Sequence, residues 1–422
     1  VRGRADVDVL VVGAGPAGAA AAITAARRGA RVALVDRARF PRDKTCGDGL
    51  TAEALRLLEA LGVELPAGST QVVRRVVLVS PRGRRVHLPM PGDGWHAAVV
   101  ARRDLDHRLV RTAAAAGAQV VDGAEVTGVH PERDGVTVVT ADGTARRARW
   151  VVAADGPWSA LRRLLDGAPH RPGLGGWTAF RRYVRGVDDD RLWVCFAAEL
   201  LPGYAWVFPL PGGRANVGFG VPRDPSVPGR TLARRWRELW HGPLAEVLGP
   251  DVEADDRDRA WPIPTDFRPE HLAAGRVLFA GDAAGVVDPM TGEGIAQALA
   301  TGIAAARAVT APHPGPASAG DPATEADRVG AAYRRAVVGR LGADLRLAAA
   351  LGRVLAHPLG AHAALRAVDT CDWTRRCFAR WMFEDYPRAL LATPRRWRRG
   401  VFRPAGAYRR AGAPQLSPGA AG

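Results

Sequence analysis

Hydrophobic positions along this 422-residue chain change period several times, and each change marks an element. Val9 to Val12 is an unbroken β-branched run, the pattern of a strand buried on both faces. Glycines cluster at 13, 15 and 18, and an Ala-rich helical segment then runs to about Arg28 and stops at Gly29. Arg31 to Val35 is a second apolar strand, with Asp36 at its end. Residues 40–50 (FPRDKTCGDGL) lose all periodicity and read as a loop before a helix over 51–61. Strands are predicted at 72–79 and 84–90 with a turn at Pro91-Gly92, and a helix from 101 to about 116, stopped by Gly117. Another strand at 119–121 and three more within 124–152 complete this half.

Residues 175–222 alternate and are rich in rings: Trp177, Phe180, Tyr183, Trp193 and Phe196, then YAWVFP at 204–209. Residues 204–210 and 216–221 are predicted to pair across the turn Pro211-Gly212-Gly213. A helix over 230–248 carries Trp236 and Trp240 on one face. Residues 276–306 then repeat the opening pattern: apolar strand, Gly281-Asp282 turn, Pro289, Gly292-Glu293-Gly294-Ile295, and an Ala-rich helix to about Val309. Residues 311–326 read as a Pro/Gly/Ala-rich linker, and 328–367 as Ala/Leu/Arg helix. The tail, 388–410, interleaves seven of its arginines with Trp397, Phe402 and Tyr408.

Composition is globular, with 47% hydrophobic and 24% charged residues, and the length suffices for two or three domains with a sizeable core. Cys46, Cys195, Cys371 and Cys377 have neither metal-ligand nor secretory spacing, so reduced thiols, a cytoplasmic setting and no metal site are expected. The glycines at 13–18 break the N-terminal apolar run, which therefore reads as neither leader nor membrane span. The net charge of +16 is almost wholly arginine, since Lys44 is the single lysine. It favours anionic partners: a diphosphate, or an acidic lipid surface touched peripherally by the aromatic, basic tail. A solvated basic tail is the bland alternative, and nucleic acid is disfavoured because no reader fold is visible.

The opening stretch carries definite chemistry. Gly13 permits the tight turn, Gly15 lets backbone approach a pyrophosphate, and Gly18 lets strand and helix pack closely. The helix start, Pro16-Ala17-Gly18, offers unpaired N–H groups, and Asp36, 18 positions after Gly18, suits a ribose diol. Cys46, between Lys44 and Gly47, reads either as a poised thiol or as a packing cysteine in a turn.

Taken together, these stretches resemble the FAD-dependent geranylgeranyl reductase family, within the group-A flavin hydroxylase-like superfamily. The similarity covers roughly residues 6–310. Gly13 to Gly18 looks like the FAD pyrophosphate loop, followed by Asp36 (many relatives carry Glu) and Arg37. Residues 41–49 resemble the P-x-x-K-x-C-G-x-G loop, with Lys44, Cys46 and Gly47 near the flavin ring. Arg102 begins an R-x-x-L-D pattern ending at Asp106. Asp155-Gly156, with Ser159 and Arg162, matches the DG motif; Gly281-Asp282 through Pro289, Gly292, Gly294 and Ile295 matches the GD motif. Tyr204-x-Trp206-x-Phe208-Pro209 resembles the substrate signature of the family, and it departs from the W-x-W-x-I-P of flavin halogenases at Tyr204 and Phe208.

The resemblance implies a Rossmann-type α/β FAD-binding domain (1–70, 97–165, 260–312), an inserted antiparallel β-sheet substrate domain (71–96, 166–259) and a C-terminal helical region with a basic tail (313–422). It implies FAD as cofactor and an isoprenoid substrate, a prenyl quinone, prenyl lipid or prenyl diphosphate, whose C=C bond takes hydride from reduced FAD and a proton. Tyr183, Tyr204, Trp206 and Phe208 would line the substrate cavity, with Cys46 and Tyr204 as proton-handling groups. No second dinucleotide fingerprint occurs, so electrons come from transiently bound NAD(P)H or another reductant. The rival readings are an FAD-dependent aromatic hydroxylase and a non-catalytic flavoprotein carrier.

Overall fold

The Val7–Val12 run is a strand at the centre of a mainly parallel sheet, paired on one side with Val32–Asp36 and on the other with Ala145–Ala153. The computed structural model describes residues 5–88, 95, 97–166, 176–224, 226–227, 229–312, 322–383 and 389. Across the sheet the order is Ala273–Ala274, Val277–Phe279, Ala145–Ala153, Val7–Val12, Val32–Asp36 and Gln119–Asp122, with a hairpin of Val126–Pro131 and Val136–Thr140 attached to Ala145–Ala153. Helices Pro16–Arg27 and Ile295–Thr310 pack face to face on this sheet. Small residues make that contact possible: a Cβ on Gly302 would lie 2.0 Å from the Ala17 carbonyl oxygen.

A second sheet crosses the top of the site. Its order is Glu253–Ala254, Trp177–Arg185, Arg214–Pro222, Tyr204–Leu210, Leu192–Cys195, Val76–Val79 and Arg85–Leu88, with Arg259–Ile263 also paired to Trp177–Arg185. All pairs are antiparallel except Leu192–Cys195 with Val76–Val79. The expected hairpin at 204–222 has the register Tyr204 opposite Gly220 and Phe208 opposite Asn216. Gly49–Thr51, Ala97–Val100 and Thr70–Val73 form a small third sheet between the two.

The C-terminal helix is not continuous as the composition suggested. Pro322–Val337 passes through a π-turn at Val338–Gly342 into Ala343–Leu355; Pro358–Val368 and Asp372–Phe383 follow. Pro358 lacks the N–H that continuation would need and starts a new helix instead. Helix also begins at Pro322, inside the expected linker, whose residues 313–321 lie outside those described, as do the Pro91-Gly92 turn and the basic tail apart from Ala389. These helices are not an appendage: Leu365 and Ala379 join Val76, Leu78 and Leu210 in one apolar cluster. No helix among the described residues is long and apolar enough to cross a membrane.

Candidate active site

One cavity of about 770 Å³ runs from the glycine loop, beneath the second sheet, to the C-terminal helices. At the first end the strand–turn–helix leaves backbone N–H groups at a helix start lined by Gly15, Pro16 and Ala17. Gly13 has φ 94°, and a Cβ there would strike the Ala154 carbonyl at 2.3 Å, so only glycine makes this turn. Asp36 accepts from the Ala14 N–H at 2.6 Å and the Ala38 N–H at 2.8 Å, which orients its carboxylate at the cavity edge.

Two guanidinium groups converge beside Gly15. Arg102 is bidentate to Asp106 at 2.8 Å, Arg42 reaches the same carboxylate at 2.7 Å, and each has an Nη2 3.9 Å from where a Gly15 Cβ would stand. Burial works against the Arg102 charge, but the Asp106 carboxylate more than offsets it and holds the guanidinium protonated. Two cations on one anion leave a net positive charge where a diphosphate would lie.

Further along, Asp155 accepts from the Leu161 N–H at 3.1 Å, while its Oδ1 is buried without a partner. Burial pushes its carboxyl pKa up, a cost that a ligand hydroxyl would relieve. Arg162 donates to the carbonyls of His271 and Ala283, both at 2.9 Å, and stacks on Phe279, so it braces the Gly281–Ala284 turn from behind. Asp282, Gly292, Gly294 and Ile295 face the cavity at the start of the second helix. Lys44 stands 4.0 Å over the Trp261 ring; burial pulls its pKa down to about 8, with Asp282 opposing.

The Cys46 loop meets the aromatic sheet in the middle. Phe208 lies 3.3 Å from Cβ positions at both Gly47 and Gly49, contacts that glycine alone leaves open. Trp206 Nε1 donates to Asn216 Oδ1 at 3.0 Å, and Asn216 Nδ2 donates to the Cys46 carbonyl at 2.7 Å. Tyr204 Oη donates to the Thr291 carbonyl, tying the sheet to the loop before the second helix. Burial raises the Cys46 pKa despite the Arg102 charge, so Cys46 is a thiol that keeps its proton, not the poised thiolate that its neighbour Lys44 suggested.

The expected residues gather in this cavity with three exceptions. Gly18 serves packing, since a Cβ there would fall 1.7 Å from the Gly13 carbonyl oxygen. Pro289 is off the wall, its carbonyl 4.0 Å from a Cβ position at Gly352. Tyr183, expected to line the substrate cavity, instead turns its hydroxyl to Asp48 at 2.6 Å and is 8% exposed. Residues not singled out beforehand include Arg42, Asp48 and Asn216. Asn216 had a visible signal, an amide within the apolar strand ANVGFGV. The far wall, from Leu351 and Leu355 through Leu365 to Phe378 and Met382, had none, because an amphipathic helix does not declare what its apolar face covers.

The fold and the donor set define an FAD-dependent oxidoreductase: a glycine turn and two converging arginines suit the diphosphate, Asp36 a ribose, and the orphaned Asp155 oxygen a further hydroxyl. A sequence model of the FAD binding domain matches residues 6–321. Menaquinone reductase of Mycobacterium tuberculosis is 36% identical over 318 residues, covering 71% of this chain and 75% of that protein. Digeranylgeranylglycerophospholipid reductase 1 of Methanopyrus kandleri is 36% identical over 314 residues, covering 70% and 78%. The crystal structure of a geranylgeranyl bacteriochlorophyll reductase-like protein from Thermoplasma acidophilum superposes with a TM-score of 0.72 at 21% identity, covering 92% of this chain and 98% of that one, which speaks for the fold. The chain belongs to the FAD-dependent geranylgeranyl reductase family.

Proposed function

We propose that this enzyme saturates C=C bonds of an isoprenoid chain carried by a quinone, a lipid or a diphosphate. The observation that carries the proposal is the contrast along the cavity. Its far wall takes eleven residues from the C-terminal helices, among them Leu351, Leu355, Leu365 and Phe378, and none is titratable. Facing them, the hydrogen-bonding groups of Tyr204 and Trp206 are already engaged within the protein. Such a wall suits a long hydrocarbon and carries no titratable group to orient or activate a phenol, which supports reduction over aromatic hydroxylation.

Bound FAD, once reduced, supplies hydride. The chain must hold the alkene in a dry cavity beneath the Phe208 and Trp206 rings and deliver a proton to the second carbon. The protonated Cys46 Sγ is the group best suited to that task, with Tyr204 Oη second because it already donates to Thr291. The segments 71–96 and 166–259 would act as the substrate unit, with the C-terminal helices closing it.

A bilayer is the proposed source of the chain. Val354 lines the cavity yet is 56% exposed, and Leu359 and Trp373 on the neighbouring helices are 74% and 72% exposed. The arginine-rich tail follows these helices in sequence, so apolar anchors and cationic residues suit an anionic surface on the cytoplasmic side.

The test is an anaerobic incubation with chemically reduced flavin and a panel of menaquinones, prenyl lipids and prenyl diphosphates, read by mass. A gain of about two mass units per saturated bond is expected, the mass of one hydride and one proton. No gain on any member, together with oxygen uptake stimulated by phenols in air, would sink the proposal in favour of an oxygenase.

A further inference from the structure

The Cys46 loop and the aromatic sheet are far apart in sequence, and one buried carboxylate joins them. Asp48 has no exposed surface and, among the described residues, is the sole non-glycine with a left-handed backbone, φ 64°. Its Oδ2 accepts from Tyr183 Oη at 2.6 Å and from Asn216 Nδ2 at 2.7 Å. Its Oδ1 accepts from the Arg102 N–H at 3.2 Å, and its own N–H donates to Cys46 Sγ at 3.4 Å.

The orientation of Asn216 is forced. An indole N–H can only donate, so the Asn216 oxygen must face Trp206 and the amide nitrogen must face Asp48 and the Cys46 carbonyl. Asn216 Nδ2 and the Arg102 N–H can only donate to the Asp48 carboxyl, whereas the Tyr183 hydroxyl can donate or accept, so the network can hold with the carboxyl in either form. Burial pushes its pKa up to about 6, against the hydrogen bonds of Tyr183 and Asn216 and the charges of Arg181 and Arg102. Arg181 lies 3.9 Å over the Tyr183 ring and is itself paired with Asp43 and Asp256. Cys46 and Lys44 sit on Asp48's own loop, and the hairpin contributes only the uncharged Trp206 and Asn216 to the network.

We infer that Asp48 is a positioning residue: through Tyr183, Asn216 and the Arg102 N–H it locks the Cys46 loop onto the Trp206 side of the aromatic sheet. The inference rests on the reductase reading only for the use made of Cys46 and Trp206. The lock itself belongs to the chain without substrate.

Methyl methanethiosulfonate modification, mapped by peptide mass on the full chain between pH 5 and 8, tests it. Cys377 is exposed and serves as the internal reference. In the wild type the ratio of Cys46 to Cys377 modification should be low and should not rise as pH falls through 6, because a carboxyl whose folded pKa is raised holds the closed loop at least as firmly when protonated. In Asp48→Asn the amide oxygen can still accept two donors, but its NH2 must then face the Arg102 N–H, so the ratio should be about fivefold to tenfold higher across the range. Its kcat should fall on the order of 30-fold with KM within about twofold, as for a misplaced reacting group. Tyr183→Phe keeps the ring and removes one hydrogen bond to the carboxyl, so the ratio should rise about twofold to threefold. That variant tests the lock even if Asp48→Asn does not fold. A wild-type ratio near one, or a ratio that Tyr183→Phe leaves unchanged, overturns the lock. A low ratio that rises in the variants of a protein that saturates no prenyl chain leaves the lock standing and removes the reductase reading instead.

Discussion

The two ends of the cavity are built in opposite ways. At the glycine loop, the backbone of one strand–turn–helix within about 30 residues sets the cradle, and charged side chains complete it, Asp36 from the same unit and Arg42, Arg102 and Asp155 from beyond it. At the apolar end, the wall comes from strands near 192–208, from Arg259–Ile263 and from helices beyond 343, with no backbone group in a working role. The first end depends on conformation, where a single methyl is intolerable. The second depends on volume, where a methyl is a graded loss.

Substitutions should expose that difference. The largest effect is expected for Gly18→Ala, whose Cβ would need space already filled by the Gly13 carbonyl. Flavin content per chain should fall to about a tenth or less, because the turn that cradles the diphosphate cannot close. Near-normal flavin content would mean that the loop has slack the close packing denies. Next, Cys46→Ala should lower kcat about 100-fold while flavin stays bound, the usual scale for loss of a proton donor. Unchanged turnover would move that role to Tyr204.

A smaller effect joins the two ends through Asp48. Its folded pKa of about 6 lies above the ordinary 3.8, so the folded chain holds this proton more tightly than the unfolded chain does. Stability from this group is therefore gained as pH falls from about 6 toward 4 and is missing above 6. A gap of about two units corresponds to about 3 kcal/mol. Urea unfolding of wild type and Asp48→Asn at pH 7 and pH 4.5 measures it, the difference between the two proteins shifting in favour of wild type at the lower pH. A shift of opposite sign would mean a carboxylate stabilised by its donors rather than burdened by burial. The smallest effect is expected for Phe378→Ala in the far wall: KM for long prenyl chains should rise about fivefold with kcat unchanged, as for loss of uniform binding. An equal rise for the shortest chains would remove the C-terminal helices from the chain-binding surface.

Much of the first end was legible before any coordinates, because its signals are local. Period, glycine spacing and a terminal acid lie within one short window, and the hairpin at 204–222 was legible for the same reason. Tyr183 misled because alternation along its strand identifies an inward-facing ring without telling cavity wall from buried hydrogen bond. Arg42 and Asp106 stand 64 residues apart, and no periodicity links them.

By itself, then, the sequence determined the dinucleotide turn, since that rests on backbone conformations that glycines impose at fixed spacing, and the resemblance of its motifs pointed to the cofactor and the family. Only the tertiary structure decided that Cys46 keeps its proton, that Asp48 bolts its loop to the substrate sheet, and that the C-terminal helices complete the apolar wall. Each of these depends on desolvation or contact between segments far apart in the chain, and such burial exists only once the segments have met.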